Sequence, residues 1–170
     1  SIRYFGSVGD VPANADYDND GRADFAVWRP SNGVWYRFNS SDGQFVATQF
    51  GVVGDQPAIG DYDGDGRSDL AVYRPVTGVW YLMRSTDGFA AFKFGIEGDV
   101  ITPADFTGDG RTDIAVFRPS NGTWYRFDQS NGQMSVFQFG LATDVPTPGD
   151  YDGDGKADIA VFRPSNGTWY

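Results

Sequence analysis

A repeat of 45 residues, shortened to 44 in one copy, constrains this chain more than any other feature. Phe-Gly recurs at Phe5-Gly6, Phe50-Gly51, Phe94-Gly95 and Phe139-Gly140. An aspartate-rich loop follows each, starting 11 residues later at Asp16, Asp61, Asp105 and Asp150. Trp-Tyr follows 19 residues after that, at Trp35, Trp80, Trp124 and Trp169. Only the last segment varies, with 15 residues from Trp to the next Phe but 14 between Trp80 and Phe94. That segment carries Ser-Ser-Asp-Gly, Ser-Thr-Asp-Gly or Gln-Ser-Asn-Gly, which are hairpin-turn signals where a deletion is tolerated. A unit this small buries its apolar face only by stacking on its neighbours.

The second copy reads as four short strands: 58–61 before the loop, 68–74 ended by Pro75, 79–84 after Gly78, and 90–94. They are β-branched and aromatic, with Gly, Pro, Asp and Asn between them. Four strands per unit of this length predict a propeller blade. A β-solenoid is the competing architecture, but its coils are usually shorter and carry fewer hairpins. The expectation is an all-β chain forming a β-propeller, with four four-stranded blades and the loop between strands 1 and 2 of each. One repeat domain spans 1–170, with units at about 5–49, 50–93, 94–138 and 139–170. The last unit is incomplete, and an N-terminal strand at 1–5 is expected to complete it. A four-blade ring, pairing of two copies to eight, and a longer array or fibre stay open at this point.

The loops place acids at positions one, three, five and nine. These are Asp16, Asp18, Asp20 and Asp24; Asp61, Asp63, Asp65 and Asp69; Asp105, Asp109 and Asp113, with Thr107 at position three; and Asp150, Asp152, Asp154 and Asp158. Calcium takes six to eight hard oxygen ligands in a forgiving geometry. Alternate carboxylates of a curled loop converge on one ion, and glycine at position six allows the sharp turn. The carbonyl of position seven adds an oxygen, from Arg22, Arg67, Arg111 and Lys156. The chain has no His and no Cys, so zinc lacks its preferred ligands. One such cluster would read as a turn; four at one register, each with crowded carboxylates, call for cations. The expectation is one Ca2+ per repeat, four in all, with the Thr107 loop the weakest.

Fifteen of the 23 acids lie in these loops, and four calcium ions would take the net charge from −10 to −2. The acidity argues against nucleic acid and anionic lipid as partners. No apolar run is long enough to span a bilayer. Outside the repeated positions only Glu97 and Asp128 are singular acids, and they make no convincing acid–base pair. Catalysis needs unlike groups converging in one place, and the polar residues here are nearly all repeated. The chain therefore reads as non-catalytic.

Arg29, Arg74, Arg118 and Arg163, each before Pro, are expected to pair with Asp10, Asp55, Asp99 and Asp144. Trp35, Trp80, Trp124 and Trp169 are candidate sugar-stacking residues, against a competing role in packing between blades.

Phe-Gly, the Asp-x-Asp-x-Asp-Gly-x-x-Asp loop and the Ala-Val strand after it resemble the FG-GAP/VCBS repeats of integrin-α-like β-propellers and many secreted bacterial proteins. The resemblance covers essentially the whole chain. It implies an extracellular, secreted or cell-surface, calcium-stabilised propeller whose loop joins neighbouring strands of a blade. Relatives include lectins, adhesion modules and appendages of enzymes. The function expected is adhesion or glycan binding, with a glycan or a cell-surface protein as partner. The alternatives are a structural surface-array or fibre subunit, or an accessory domain of a secreted enzyme. Open edge strands favour self-association.

Overall fold

The computed structural model describes residues 4–170. It contains fifteen strands, all antiparallel where paired, in four successive sheets. The first sheet is β1 (Val11–Pro12), β2 (Phe25–Arg29), β3 (Val34–Phe38) and β4 (Phe45–Gln49), in that spatial order. The second is β5 (Gln56–Pro57), β6 (Leu70–Arg74), β7 (Val79–Arg84) and β8 (Gly88–Lys93). The third is β9 (Val100–Ile101), β10 (Ile114–Arg118), β11 (Thr123–Asp128) and β12 (Gln133–Gln138). The fourth holds β13 (Val145–Pro146), β14 (Val161–Arg163) and β15 (Thr168–Trp169). These are the up-and-down blades of a propeller, one per repeat. Residues 1–3, the larger part of the expected N-terminal strand at 1–5, lie outside the described residues, and Tyr4 and Phe5 are in no strand.

Three strand positions differ from the reading of the sequence, the second strand starting at Leu70 where 68 is expected. The first strand is only two residues, Gln56–Pro57 in the second sheet, where 58–61 was expected. Pro57 pairs with Val72, while Gly60 makes a single bridge to Asp69, because the loop already turns the backbone away. The fourth strand begins at Gly88 rather than at 90, as the tight turn lets pairing start at once.

The chain forms two compact units, Ser1–Arg74 with Trp80–Phe92, and Pro75–Val79 with Lys93–Tyr170. In the first, Tyr17, Trp28 and Trp35 of one repeat pack with Leu70 and Val72 of the next. In the second, Phe106, Phe117 and Trp124 pack with Val161. Trp35, Trp80 and Trp124 have no exposed surface at all. The indole N–H of Trp35 donates to the Phe50 carbonyl, and that of Trp124 to the Phe139 carbonyl, each at 2.9 Å. These three rings are core, which corrects their candidacy for stacking on a sugar; burial leaves no face free. Trp169 alone is exposed, at 60%.

The expected ion pairs form. Asp10 accepts from Nε and Nη2 of Arg29 at 2.7 and 2.9 Å, a fork repeated by Asp55 with Arg74, Asp99 with Arg118, and Asp144 with Arg163. Each guanidinium also lies 4.3–4.5 Å over the tyrosine that follows the repeat tryptophan.

The Phe-Gly motif marks a close backbone approach. The Phe50 N–H donates to the Gly33 carbonyl at 2.9 Å, and the same bond joins Phe139 to Gly122. A methyl group on Gly122 would be driven into the Gly140 carbonyl oxygen. Gly132, in the β11–β12 turn, has a similar positive φ but open space around it. Gly132→Ala is expected to cost about 1 kcal/mol, the left-handed backbone penalty. Gly122→Ala should cost a further ~1–3 kcal/mol of overpacking. Urea unfolding midpoints of the two variants check this; equal losses would show that crowding at the motif contributes nothing.

Candidate metal centre

Each loop is built around its first and last carboxylates. Position one caps the curl from inside: Asp16 accepts from the backbone N–H of Asn19 and Gly21 at 2.7 and 2.8 Å, and Asp61 accepts from Gly64 and Gly66 at 2.6 and 2.8 Å. Asp105 and Asp150 repeat the pattern with Gly108 and Gly110, and with Gly153 and Gly155. Glycine serves here because these positions hold φ between +72° and +87° in the second, third and fourth loops. Position nine closes the loop. Asp24, Asp69, Asp113 and Asp158 each bridge to the residue before position one. Each also accepts from the backbone N–H of position two, at 2.8–3.0 Å.

These constraints bring three acids together in three loops. Asp16, Asp18 and Asp24, Asp61, Asp63 and Asp69, and Asp150, Asp152 and Asp158 each place carboxylate oxygens within 4.8 Å of one another. Among the described residues the third loop makes no such triad. Thr107 there turns its hydroxyl 3.4 Å from Asp105.

Position five has a task within the loop itself. Asp20, Asp65, Asp109 and Asp154 lie outside the triads, and each accepts from the amide of position seven at 2.8–2.9 Å. Those amides belong to Arg22, Arg67, Arg111 and Lys156.

The hairpin turn after the third strand supplies partners that sequence reasoning did not assign. Ser40 and Ser41 hydroxyls donate to Asp20 and Asp18, at 2.7 and 2.6 Å. In the second sheet Ser85 and Thr86 hydroxyls both donate to Asp65. The Ser40 and Ser85 amides donate to position nine, Asp24 and Asp69, at 2.6 and 2.7 Å. The only sequence signal was that the Ser/Thr-rich turn recurs.

The donor chemistry fits a hard divalent cation. One oxygen of Asp18 and one of Asp63 are buried and have no hydrogen-bond partner. An orphaned buried carboxylate oxygen is costly, and a cation at the triad would satisfy it. Electrostatics agree. Burial, with the nearby Asp63 and Asp61, pushes the Asp69 carboxyl up to about 6. Burial, with Asp128, Asp109 and Asp105, pushes Asp113 up to about 6. Hydrogen bonds from Ser41 and from Ser85 and Thr86 instead hold Asp18 and Asp65 below the usual carboxylate range. Crowded acids with split affinities for a proton make a site that exchanges protons for metal.

Comparison with known proteins follows the same lines. The model of the FG-GAP-like repeat matches residues 16–72 and 105–161. Each match runs from one aspartate loop, through its sheet, to the second strand of the next repeat. Among curated sequences no relative matches. A lectin of Agrocybe aegerita, described for specific recognition of non-reducing terminal N-acetylglucosamine, shares the fold with a TM-score of 0.63 and 22% identity. The likeness covers 88% of this chain and 45% of the lectin. Virginiamycin B lyase from Staphylococcus aureus shares it with a TM-score of 0.57 and 13% identity, over 92% of this chain and 53% of the lyase. The chain thus spans about half the length of either protein. The family match extends over about two thirds of the residues and coincides with the loops that hold the carboxylate triads, and the chain belongs to the FG-GAP-like repeat family.

Proposed function

We propose that this chain is a calcium-stabilised, non-catalytic propeller module that binds a terminal sugar outside the cell. The observation that carries the calcium assignment is the pair of orphaned oxygens, on Asp18 and Asp63, each within an aspartate triad. Oxygen-only donors without imidazole or thiolate select calcium over zinc, and the irregular loop suits calcium better than octahedral magnesium. Calcium staples each loop to its sheet and offsets the acidity, which suits a compartment where calcium is abundant.

The sugar assignment rests on the likeness to the N-acetylglucosamine lectin and on a cleft in the first unit. The cleft, of about 240 Å³, is lined by Tyr17, Arg37, Thr48, Leu70, Met83 and Arg84 among others. Arg37 lies 4.8 Å over the Tyr17 ring, and its buried Nε has no hydrogen-bond partner. On the cleft's accessible side Met83 is exposed and Thr48 and Arg84 are half-buried, so it offers an apolar side chain, a hydroxyl and a guanidinium, a mix that suits a sugar hydroxyl or acetamido group. Removing Arg37 with Arg37→Met should weaken N-acetylglucosamine binding at least tenfold by calorimetry, with the far-UV spectrum unchanged. Retained binding in that variant, lost instead on Trp169→Ala, would move the site to the exposed tryptophan.

Calcium should raise the melting temperature, because a ligand of the native state stabilises by mass action. Titration should resolve three tighter sites and a weaker third loop, and Thr107→Asp should bring the fourth into line. Four equal sites in the parent chain, or no loss of stability in excess chelator, would sink the assignment.

The pH dependence has a definite sign. Asp69 and Asp113 have folded-state pKa values raised from 3.8 to about 6, so the metal-free fold binds more protons than the unfolded chain between those values. Metal-free stability therefore falls as pH rises through that window. Calcium must displace the same protons, so apparent affinity at the second and third loops should drop about tenfold per pH unit below 6. Calcium-induced melting shifts at pH 5 and 7 test this; equal shifts would contradict it.

A further inference from the structure

Most half-buried arginines of this chain hold an acceptor. Arg29, Arg74, Arg118 and Arg163 each fork an aspartate through Nε and one Nη. In the third sheet Arg126 donates its Nε to the hydroxyl of Ser135, its cross-strand partner, at 3.0 Å. Arg37 holds the same place in the first sheet, and its cross-strand partner is Val46, which has no acceptor to offer. Among the described residues nothing accepts a hydrogen bond from the Arg37 guanidinium, and its Nε is buried without a partner. In the second sheet the place belongs to Leu82, which is fully buried. The fold therefore does not need a bare guanidinium here: one repeat fills the position with hydrocarbon and another supplies an acceptor.

Arg37 borders the cleft between the first two sheets, all of whose lining residues belong to the first unit. The cleft has a second guanidinium, that of Arg84. It is fixed by donation to the backbone carbonyls of Gly88 and Asp87, at 3.1 and 3.3 Å, and by an ion pair of 3.5 Å with the Asp87 carboxylate. Arg37 has no such carboxylate in contact. The acids whose charges act on it are Asp24 and Asp18, and Asp69 is the acid in the cleft wall. All three belong to the carboxylate triads of the first two loops. Calcium held there would offset them and leave the Arg37 charge without a counterion. A cation drawn partly out of water with no acceptor is costly, and an anion in the cleft offsets that cost. The overall acidity of the chain does not oppose this, since most of it lies in the same loops.

We propose that this cleft takes the carboxylate of an acidic sugar, a hexuronic or sialic acid, with Arg37 and Arg84 as its cationic contacts. The inference rests on the sugar and calcium readings above and narrows the first of them to sugars that carry a negative charge. Guanidinium nitrogens match the two oxygens of a carboxylate, as the four forked pairs of this chain already show. The Thr48 hydroxyl and the exposed Met83 side chain are left for the sugar ring.

The test is calorimetry of the whole chain in excess calcium, with N-acetylneuraminic acid and glucuronic acid set against N-acetylglucosamine and glucose, and with acetate as a plain anion. At low salt the two acidic sugars should bind about tenfold tighter than the neutral pair, the worth of a hydrogen bond to a charged group. The gap should narrow as salt screens it. Met83→Lys and Met83→Glu change the charge of the cleft at a position 38% exposed, and near-UV spectra check that both variants fold. Lysine should widen the gap and glutamate should close it. Neutral sugars bound as tightly as the acidic ones overturn the proposal and leave the sugar reading standing. Failure of every sugar to bind removes that reading and the proposal with it. Acetate bound as tightly as the acidic sugars marks a plain anion site and overturns the proposal. So does a gap that neither Met83 variant moves, because the acidic sugar then sits elsewhere.

Discussion

The carboxylate at the ninth loop position is the constraint on which each blade depends. Asp24 and Asp69 are 1% exposed and Asp113 is 2% exposed, and all three sit at the start of the second strand. Each does three things from one place. Its amide bridges to the residue just before the loop, its side chain accepts the position-two amide, and in the first two sheets it also accepts the amide of the hairpin turn. An Asn would keep some of these bonds but not the charge that a cation needs. A hydrophobic residue would keep the burial but leave the amides without acceptors. The loop, the turn and the strand are therefore one structural element with a buried acid at its centre, and that acid is stable there only when charge or proton offsets it.

Position two turns that local element into an architecture. The residue whose amide is held by the buried acid is Tyr17, Tyr62 or Phe106, and its ring enters the apolar layer beside the repeat tryptophan. In each unit that layer is completed by the next repeat's second strand. Metal occupancy of a loop would thus be felt at the contact between repeats, through the position-two residue. This is the physical route by which a small ion can stabilise a whole array of blades that have no disulfides.

Much of this was legible in the sequence because repetition acts as an internal comparison. The spacing of Asp10 and Arg29 recurs in all four copies, and only a structural pairing explains such regularity; the forked ion pairs follow. That acids at positions one, three and nine crowd together was legible from their spacing; that position five holds the position-seven amide was not, because a capping role and a ligand role demand the same residue. Trp35, Trp80 and Trp124 were ambiguous: alternation along a strand does not say which face meets a neighbouring sheet. The turn hydroxyls were out of reach for another reason. Ser40 acts on Asp20 from 20 residues away, and Ser41 on Asp18 from 23, so only the folded sheet reveals the contact. The first strand was misplaced because Ala58 and Ile59 look like strand residues, yet they lie against the core while the loop bends the backbone out of register.

The third repeat shows what the carboxylate network does by showing what replaces it. Phe106 lacks the hydroxyl with which Tyr17, Tyr62 and Tyr151 hold the backbone carbonyls of Ala13, Ala58 and Thr147, though its ring lies 5.0 Å beneath Arg126 much as that of Tyr17 lies 4.8 Å beneath Arg37. Thr107 removes the position-three carboxylate, and the turn no longer reaches for it. The Ser130 hydroxyl and the Asn131 amide donate to Asp128 within the turn itself. So in the first two sheets the turn is ordered by the loop, and in the third it is ordered by its own aspartate. A loop without an acid to share with its turn has less need of a cation to hold the two together. The same acid, moved to the turn as Asp128, raises the Asp113 carboxyl rather than joining it in a triad. Loss of the position-three acid and self-sufficiency of the turn are therefore seen together, and the divergent repeat is a blade whose turn is held by its own hydrogen bonds where the first two share a carboxylate triad with their loop.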